Sequence, residues 1–182
     1  PGEHADFEEY LYYKTRLLNM CGIGLVNKDD EHAPQIIKAA NCELCTYSEE
    51  SKEADFVASD IRYVSQPDFV GTEFHISGKY DMEVRLGIPG LFNVVNALAA
   101  VSVCSFLGLD QARISHALEN IRVNGRMEIV YTSERCTVLV DYAHNAVSME
   151  SLLSTLRDYK PKRLVCVFGC GGNRSPLRRV QI

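Results

Sequence analysis

The 182-residue sequence predicts an α/β protein with a mixed sheet, followed by the opening of a second, parallel sheet. Short apolar segments alternate with helical periodicity near both ends of the chain. Between residues 55 and 86 the pattern changes to alternating, β-rich segments separated by turn residues, which indicates an antiparallel patch. Hydrophobic residues make up 46% and charged residues 24%, which is typical of a chain with a packed core.

The N-terminal part begins with a predicted helix over Glu8–Leu18, where apolar side chains recur at helical spacing. Ile23–Val26 is a short apolar run that indicates a buried parallel strand. The polar loop Asn27–Asp30 follows at its carboxyl end, where α/β sheets usually place ligands. A helix over Gln35–Ala40 and a short strand near Cys45 come next.

The β-rich segment contains four candidate strands, at residues 56–58, 61–64, 72–76 and 82–86. Gly87–Gly90 then interrupts the chain before a strongly apolar helix over Phe92–Leu107, which ends at Gly108. Asp110 is the predicted N-cap of another helix that reaches Leu118.

A loop at Val123–Gly125 is the predicted domain boundary, which divides the chain into residues 1–122 and 123–182. The elements predicted beyond it are strands over Met127–Tyr131 and Thr137–Val140, a helix over Ser148–Arg157 and a strand over Leu164–Phe168. This β-α-β order with a short apolar final strand predicts the second parallel sheet.

The composition excludes several function classes. A formal net charge of −5 argues against nucleic-acid binding through overall basicity. No apolar run approaches the roughly 20 residues that span a bilayer, and the acidic, polar segment Pro1–Glu9 is not a signal peptide. The seven cysteines are odd in number and scattered through apolar stretches, which favours reduced core thiols in the cytoplasm. Cys42 and Cys45 form a lone C-x-x-C, which could be a redox pair or half of a zinc site. Two small structural residues are favoured over the zinc site.

Two stretches lie where apolar strands are predicted to end. Val140–Asn145 brings Asp141 and His144 together, which suits a ribose, a phosphate or a metal ion, although a polar helix-entry loop explains it equally well. Val167–Arg174 runs from a strand into glycines, whose N–H groups can approach an anion, and ends on Arg174, which can bind a carboxylate. Gly-rich turns after strands are common, and this one is neither G-x-G-x-x-G nor a Walker motif.

Two further candidates lie on predicted helices. Asn93 and Asn96 share a face at i and i+3, and their amides can pair with the donor and acceptor edges of a nucleobase. The alternative is that Asn93 caps the helix and Asn96 is simply exposed. Lys14 lies on an amphipathic helix, where a lysine is usually solvated surface.

In their order along the chain, these stretches resemble the Mur ligase family. The matching segments are Leu91–Ala100, Gly125–Glu128, Asp141–His144 and Phe168–Gly172. His4–Lys14 and Asn27–Asp30 also resemble the members that add the third residue of the peptidoglycan peptide. The resemblance covers nearly the whole chain and is most specific from Gly90 to Arg174.

The resemblance implies a fragment of a cytoplasmic, ATP-dependent ligase. Its fold would be the C-terminal part of the central ATPase domain, with the mixed sheet, plus the start of a Rossmann-like C-terminal domain. ATP and Mg²⁺ would be its cofactors. UDP-MurNAc-peptide and an amino acid, either diaminopimelate or lysine, would be its partners and would react through an acyl phosphate. We expect a monomer that binds no nucleic acid and does not insert into a membrane.

The resemblance also implies the nucleotide-binding residues. Asn96 would contact the adenine, Asp141 the ribose, and Arg126 at the hinge the phosphates. Tyr142 and His144 would line the same nucleotide pocket.

Two other roles follow from the resemblance. Lys14 would be carbamylated and would help to hold the magnesium ion, because carbamylation turns a cation into an anionic oxygen ligand. Arg174 would bind the carboxylate of the incoming amino acid.

The sequence departs from the family pattern at several positions. Asn124 stands where a proline is usual, and Asn173 where an aspartate is common. Asn145–Ala146 stands where Thr-Pro is common, and an asparagine at this position resembles the pattern of folylpolyglutamate synthases. The sequence contains no G-x-x-x-x-G-K-[ST] loop, since Gly78–Lys79 is followed by Tyr80.

We expect the missing parts of such a ligase to flank this chain. The uridine-nucleotide domain and the metal-binding His and Glu would precede Pro1, and an Asp-Asn-Pro-Arg motif would follow Ile182, so the chain alone is expected to be inactive. The alternatives are a folylpolyglutamate synthase or another Mur-type ligase, and a non-catalytic module derived from a ligase.

Overall fold

The structure, a computed structural model, describes residues 5–169 of the chain. The helices are α1 (Phe7–Arg16), α2 (Ala33–Ala39), α3 (Leu91–Phe106), α4 (Gln111–Glu119) and α5 (Ala146–Asp158), and a 3-10 turn at Leu17–Asn19 extends α1. The strands are β1 (Ile23–Asn27), β2 (Glu43–Ser48), β3 (Phe56–Ser65), β4 (Val70–Gly78), β5 (Met82–Leu86), β6 (Glu128–Thr132) and β7 (Thr137–Val140).

The first five strands form one mixed sheet in the order β1-β2-β3-β4-β5. β1, β2 and β3 run parallel, whereas β3, β4 and β5 pair antiparallel, so the predicted antiparallel patch attached to a parallel core is confirmed. The candidate strands at 56–58 and 61–64 are one strand, because the register shifts between Ser59 and Arg62 without ending the pairing. Asp60, within this irregularity, has a φ of 54°.

The main core lies between this sheet and α3. Val94, Leu98 and Val101 recur at helical spacing and are fully buried, as are Phe56 and Phe74 on the sheet. Burial of each such side chain stabilises the fold by about 1.5–3 kcal/mol. Glycine is required before α3, since the backbone of Gly90 has a φ of 106°, which residues with a side chain rarely adopt.

The helix boundaries follow their capping residues. Asp6 accepts a hydrogen bond from the Glu9 N–H at 2.8 Å and caps α1. Asp110 caps α4 by accepting from the Arg113 N–H at 2.9 Å, as predicted. α2 begins at Ala33, two residues earlier than predicted, because a proline suits the first turn of a helix.

The predicted second parallel sheet does not form within residues 5–169. β6 and β7 pair antiparallel and make up a two-stranded sheet of their own. The predicted strand over Leu164–Phe168 is wrong, because these residues pair with no described strand and Val167 is 95% exposed. An apolar run becomes a strand only where a neighbour satisfies its backbone N–H and C=O groups, and none of the described strands does so.

Among the described cysteines, the prediction of core thiols is confirmed for Cys45 and in part for Cys21, Cys42 and Cys104, which pack against the two hydrophobic cores. Cys21, Cys42 and Cys104 are half-buried, Cys136 and Cys166 are exposed, and all six are free thiols. Cys170 lies outside the described residues. Cys45 packs in the α3 core, whereas Cys42 packs with a separate cluster around Leu18, Val26 and Ala33. The C-x-x-C residues therefore face different sides of the sheet and do not form a common site.

The described helices include none that is long and apolar enough to cross a membrane.

The end of α5 docks on the mixed sheet through Tyr159. Its hydroxyl donates to the Gly71 carbonyl at 2.9 Å and accepts from the Gly90 N–H at 3.3 Å. The buried Thr72 hydroxyl lies 3.2 Å away and is placed to donate to it. Burial raises the pKa of Tyr159, so this hydroxyl keeps its proton. Tyr159 thus joins α5 to the start of α3.

We predict that Tyr159→Phe destabilises the chain by about 1–3 kcal/mol, because the Gly90 N–H loses its acceptor while the ring is kept. Urea denaturation measures the loss. Tyr80→Phe is the matched control, since the Tyr80 hydroxyl donates one hydrogen bond, to the Leu109 carbonyl, and we expect a smaller loss of stability. An equal or larger loss for Tyr80→Phe would contradict this role for Tyr159.

Candidate functional site

A cavity of about 490 Å³ opens between the start of α3, the loop after α4 and the start of α5. Its apolar wall comes from Leu86, Ile88, Phe92, Ala97, Ala100, Leu118, Ile121, Val123, Met127 and Leu152. Its polar residues are Asn93, Asn96, Arg126, Asp141, Ser148 and Ser151. An apolar cleft of this size with a few convergent polar groups is typical of a small-molecule site.

The α3 side of the cavity presents two amides. The Asn93 amide donates to the Pro89 carbonyl at 2.7 Å, which fixes the orientation of its side chain. The exposed Asn96 amide lies 3.4 Å from the Asn93 Oδ1. The residue that precedes α3 as its cap is Gly90, so the alternative that Asn93 caps the helix is wrong. Both amides face the cavity, and Asn96 has donor and acceptor capacity left for a ligand.

The opposite side of the cavity depends on Asp141 at the end of β7. Its Oδ2 accepts from the Met127 N–H at 2.8 Å and its Oδ1 from the Ala143 N–H at 2.7 Å. Met127 is buried and has a φ of 46°, a left-handed conformation that is uncommon outside glycine. The Asp141 carboxylate therefore holds the turn before β6 against the end of β7. Each of its oxygens retains a second lone pair for a ligand.

Arg126 precedes Met127 in this turn and has an exposed side chain. Its guanidinium lies 5.1 Å from the centre of the Tyr142 ring, which is within the range of a cation–π contact. The contact holds the cation at the edge of the cavity, where it can meet an anion.

Tyr142 and His144 do not line the cavity but lie next to it. Their rings are 5.1 Å apart, and the His144 Nδ1 lies 3.1 Å from the Tyr142 carbonyl oxygen. Since a carbonyl only accepts, Nδ1 carries the proton, and Nε2 of a neutral ring is left as an acceptor.

The structure does not bring Lys14 to the cavity. Lys14 is exposed on α1, and its Nζ lies 5.4 Å from the centre of the Tyr10 ring. Arg174 lies outside the described residues. Of the seven predicted site residues, the structure thus gathers Asn96, Arg126 and Asp141 at one cavity, with Tyr142 and His144 beside it.

Sequence reasoning missed three contributors to the cavity. Ser148 and Ser151 lie at i and i+3 on α5, and a usable signal was the capping box between Asn145 and Ser148 that starts this helix. No sequence signal marks the left-handed conformation of Met127, because methionine is disfavoured there.

The described residues contain no group of three His, Cys, Asp or Glu side chains that could hold a metal ion.

Comparison with known proteins gives a consistent result. Residues 2–104 match the family described as "Mur ligase middle domain", and residues 125–182 match "Mur ligase, glutamate ligase domain". The chain is 36% identical over 178 residues to the UDP-N-acetylmuramoyl-L-alanyl-D-glutamate–2,6-diaminopimelate ligase 2 of Clostridium acetobutylicum. It is also 36% identical over 192 residues to the corresponding ligase of Alkaliphilus oremlandii. These alignments cover 97% of the chain but only 36% and 37% of the relatives.

Solved structures agree on the fold. A UDP-N-acetylmuramoyl-L-alanyl-D-glutamate–2,6-diaminopimelate ligase is 30% identical, with a TM-score of 0.76 over 100% of this chain and 38% of that one. MurF from Acinetobacter baumannii is 23% identical with a TM-score of 0.70 over 86% of this chain and 34% of its own, which shows the fold alone. The Rossmann-like expectation for the C-terminal part rests on the matched family domain, since the described strands there form only a hairpin. The chain belongs to the Mur ligase family.

Proposed function

We propose that this chain is part of an ATP-dependent ligase that adds diaminopimelate to UDP-MurNAc-dipeptide in peptidoglycan precursor synthesis. The observation that carries the proposal is the cavity, which gathers amides, a carboxylate and a guanidinium from three distant segments of the chain. The names of the relatives support the choice of diaminopimelate over lysine. The chain spans about 36% of the length of these relatives, so the activity belongs to a longer protein.

The cavity suits an adenine nucleoside. The amides of Asn93 and Asn96 can pair with the edge of the adenine, and the apolar wall can accept its faces. The ribose hydroxyls donate to the lone pairs that Asp141 has left after binding the Met127 and Ala143 amides. Arg126 then points toward the phosphates, and Tyr142 and His144 enclose the same side.

The proposed reaction has two steps. The terminal carboxylate of the UDP-MurNAc-dipeptide attacks the γ-phosphorus of ATP, forming an acyl phosphate and releasing ADP. The amine of diaminopimelate then attacks the acyl carbon and expels phosphate, which leaves an amide. This chain positions the nucleotide and neutralises phosphate charge through Arg126, the usual protein contribution to phosphoryl transfer.

Lys14 and Arg174 are proposed to bind the metal ion and the incoming amino acid, respectively, rather than the adenosine. A carbamate on Lys14 would supply one oxygen ligand for Mg²⁺, and the described residues alone do not complete such a site. Arg174 would bind the carboxylate of the incoming amino acid. The proposed domain boundary stays at 122/123, just before the turn that Asp141 holds.

The folylpolyglutamate synthase alternative has less support, because Asn145 also has a structural role. The Asn145 side chain accepts from the Ser148 N–H at 2.8 Å, so this asparagine is explained as the cap of α5.

We predict that the 182-residue chain alone binds ATP weakly or not at all, because it contains no Walker loop to hold the phosphates. Isothermal titration calorimetry on the isolated chain and on the full-length protein makes the comparison. Equally tight binding by both would show that the phosphate loop is not required.

We predict that Asp141→Asn in the full-length protein weakens ADP binding by about 10- to 100-fold. The new amide NH₂ is a donor, whereas the Met127 and Ala143 N–H groups and the ribose hydroxyls all need an acceptor at this position. Asp110→Asn is the matched control, since asparagine caps a helix as well as aspartate does. Unchanged ADP affinity in Asp141→Asn would remove Asp141 from the site, whereas loss in both variants would indicate a general defect.

We predict that Lys14→Ala abolishes ligase activity in the full-length protein and that short carboxylates, such as formate, restore part of it by replacing the carbamate. Lys38→Ala, at an exposed lysine near the end of α2, is the control and should keep full activity. Full activity of Lys14→Ala in a multiple-turnover assay would show that Lys14 is only surface.

A further inference from the structure

Two cysteines lie side by side at the entry to the parallel part of the sheet. Cys21 precedes β1, Cys42 directly precedes β2, and their sulfur atoms are 3.9 Å apart. The parallel register pairs Ile23 with Glu43, so both cysteines lead into the same strand pair. Neither cysteine lines the cavity beside α3, so a role for this pair is independent of the proposed function.

The packing around the pair keeps the two thiols together. Both are half-buried and pack against the cluster of Leu18, Val26 and Ala33. Gly24 leaves room for this arrangement, because a Cβ at that position would lie 3.0 Å from the Cys42 sulfur. The Cys21 thiol also lies 3.6 Å from the Leu18 carbonyl oxygen, a weak contact that is easily given up.

The surroundings favour a disulfide over a metal site. A structural zinc site needs four ligands, and the part of the chain at 5–169 offers no group of three possible ligands. Cys45, the other half of the C-x-x-C, belongs to the α3 core and does not join the pair. Oxidation of either thiol would therefore lead to a disulfide with the other.

We propose that Cys21 and Cys42 form an oxidation-sensitive pair that closes an intrachain disulfide between the entries to β1 and β2. The sulfur atoms must approach from 3.9 Å to about 2.05 Å, so each moves by less than about 1 Å. Rotation about the side-chain bonds moves a sulfur over this range. The bond would fasten two strand entries that are already neighbours in the sheet.

The chemistry balances with a peroxide as the oxidant. The Cys21 thiolate attacks one peroxide oxygen, which gives a sulfenic acid and, with a proton, water. Cys42 then attacks the sulfenic sulfur, and its proton leaves with the hydroxyl group as a second water. Two thiols and one hydrogen peroxide thus give one disulfide and two waters. Burial, and after it the neighbouring Cys21, raises the pKa of Cys42, which lowers its thiolate fraction, so the first attack is assigned to Cys21.

The test is a disulfide map of the full-length protein. The protein is treated with hydrogen peroxide, its remaining thiols are alkylated under denaturing conditions, and it is digested without reduction for mass spectrometry. The expected product is a Cys21–Cys42 cross-linked peptide that lacks two hydrogens and disappears on reduction. The proposal is overturned if both cysteines stay alkylatable once Cys136 has been oxidised, or if either pairs with another cysteine.

Two variants separate this pair from its neighbours. Cys45→Ala removes the other half of the C-x-x-C and should leave the Cys21–Cys42 peptide at the wild-type yield, while loss of the peptide would contradict the assignment. Cys21→Ser should eliminate the peptide and leave Cys42 open to alkylation or further oxidation. If Cys21→Ser does not fold, the wild-type map alone decides between the two outcomes.

Discussion

Burial of one face of α3 against the mixed sheet is the constraint on which the candidate site depends. Val94, Leu98 and Val101 must leave water together, and this fixes the rotation of the helix about its axis. Asn93 and Asn96 then lie off the buried face, at the margin where α3 meets the cavity. The same constraint requires Gly90 before the helix, since only a residue without a side chain easily takes its φ of 106°. The apolar core thereby orients the two amides that are proposed to bind the adenine.

The second half of the site depends on a polar interaction. The Asp141 carboxylate binds two backbone amides, one of which belongs to Met127 in a left-handed conformation. A strained turn of this kind persists where its surroundings hold it, and such turns cluster at ligand sites and hinges. Asp141 is therefore both a structural link between β6 and β7 and the proposed ribose acceptor. Tyr159 adds a link from the end of α5 to the start of α3, two helices that contribute residues to the cavity.

The sequence predicts what is local and misses what depends on distant partners. The helical spacing in α3, the cap at Asp110 and the alternation in β4 and β5 are encoded in adjacent residues, and all of them form as predicted. The strand at Leu164–Phe168 fails because its pairing requires a neighbour that the described residues do not provide. The left-handed Met127 arises from a hydrogen bond to Asp141, 14 residues away, and no local pattern announces it. The role of Lys14 comes from resemblance alone, and the structure does not bring Lys14 to the cavity. Arg174 lies outside the described residues.

The nucleotide is proposed to bind in the cavity between α3, the turn at Arg126–Met127 and α5. A crystal structure of the full-length protein with ADP tests this placement most directly. We expect adenine against Asn93 and Asn96, ribose hydroxyls within hydrogen-bond distance of Asp141, and phosphates on the side of Arg126. ADP bound with its adenine and ribose outside this cavity would contradict the placement.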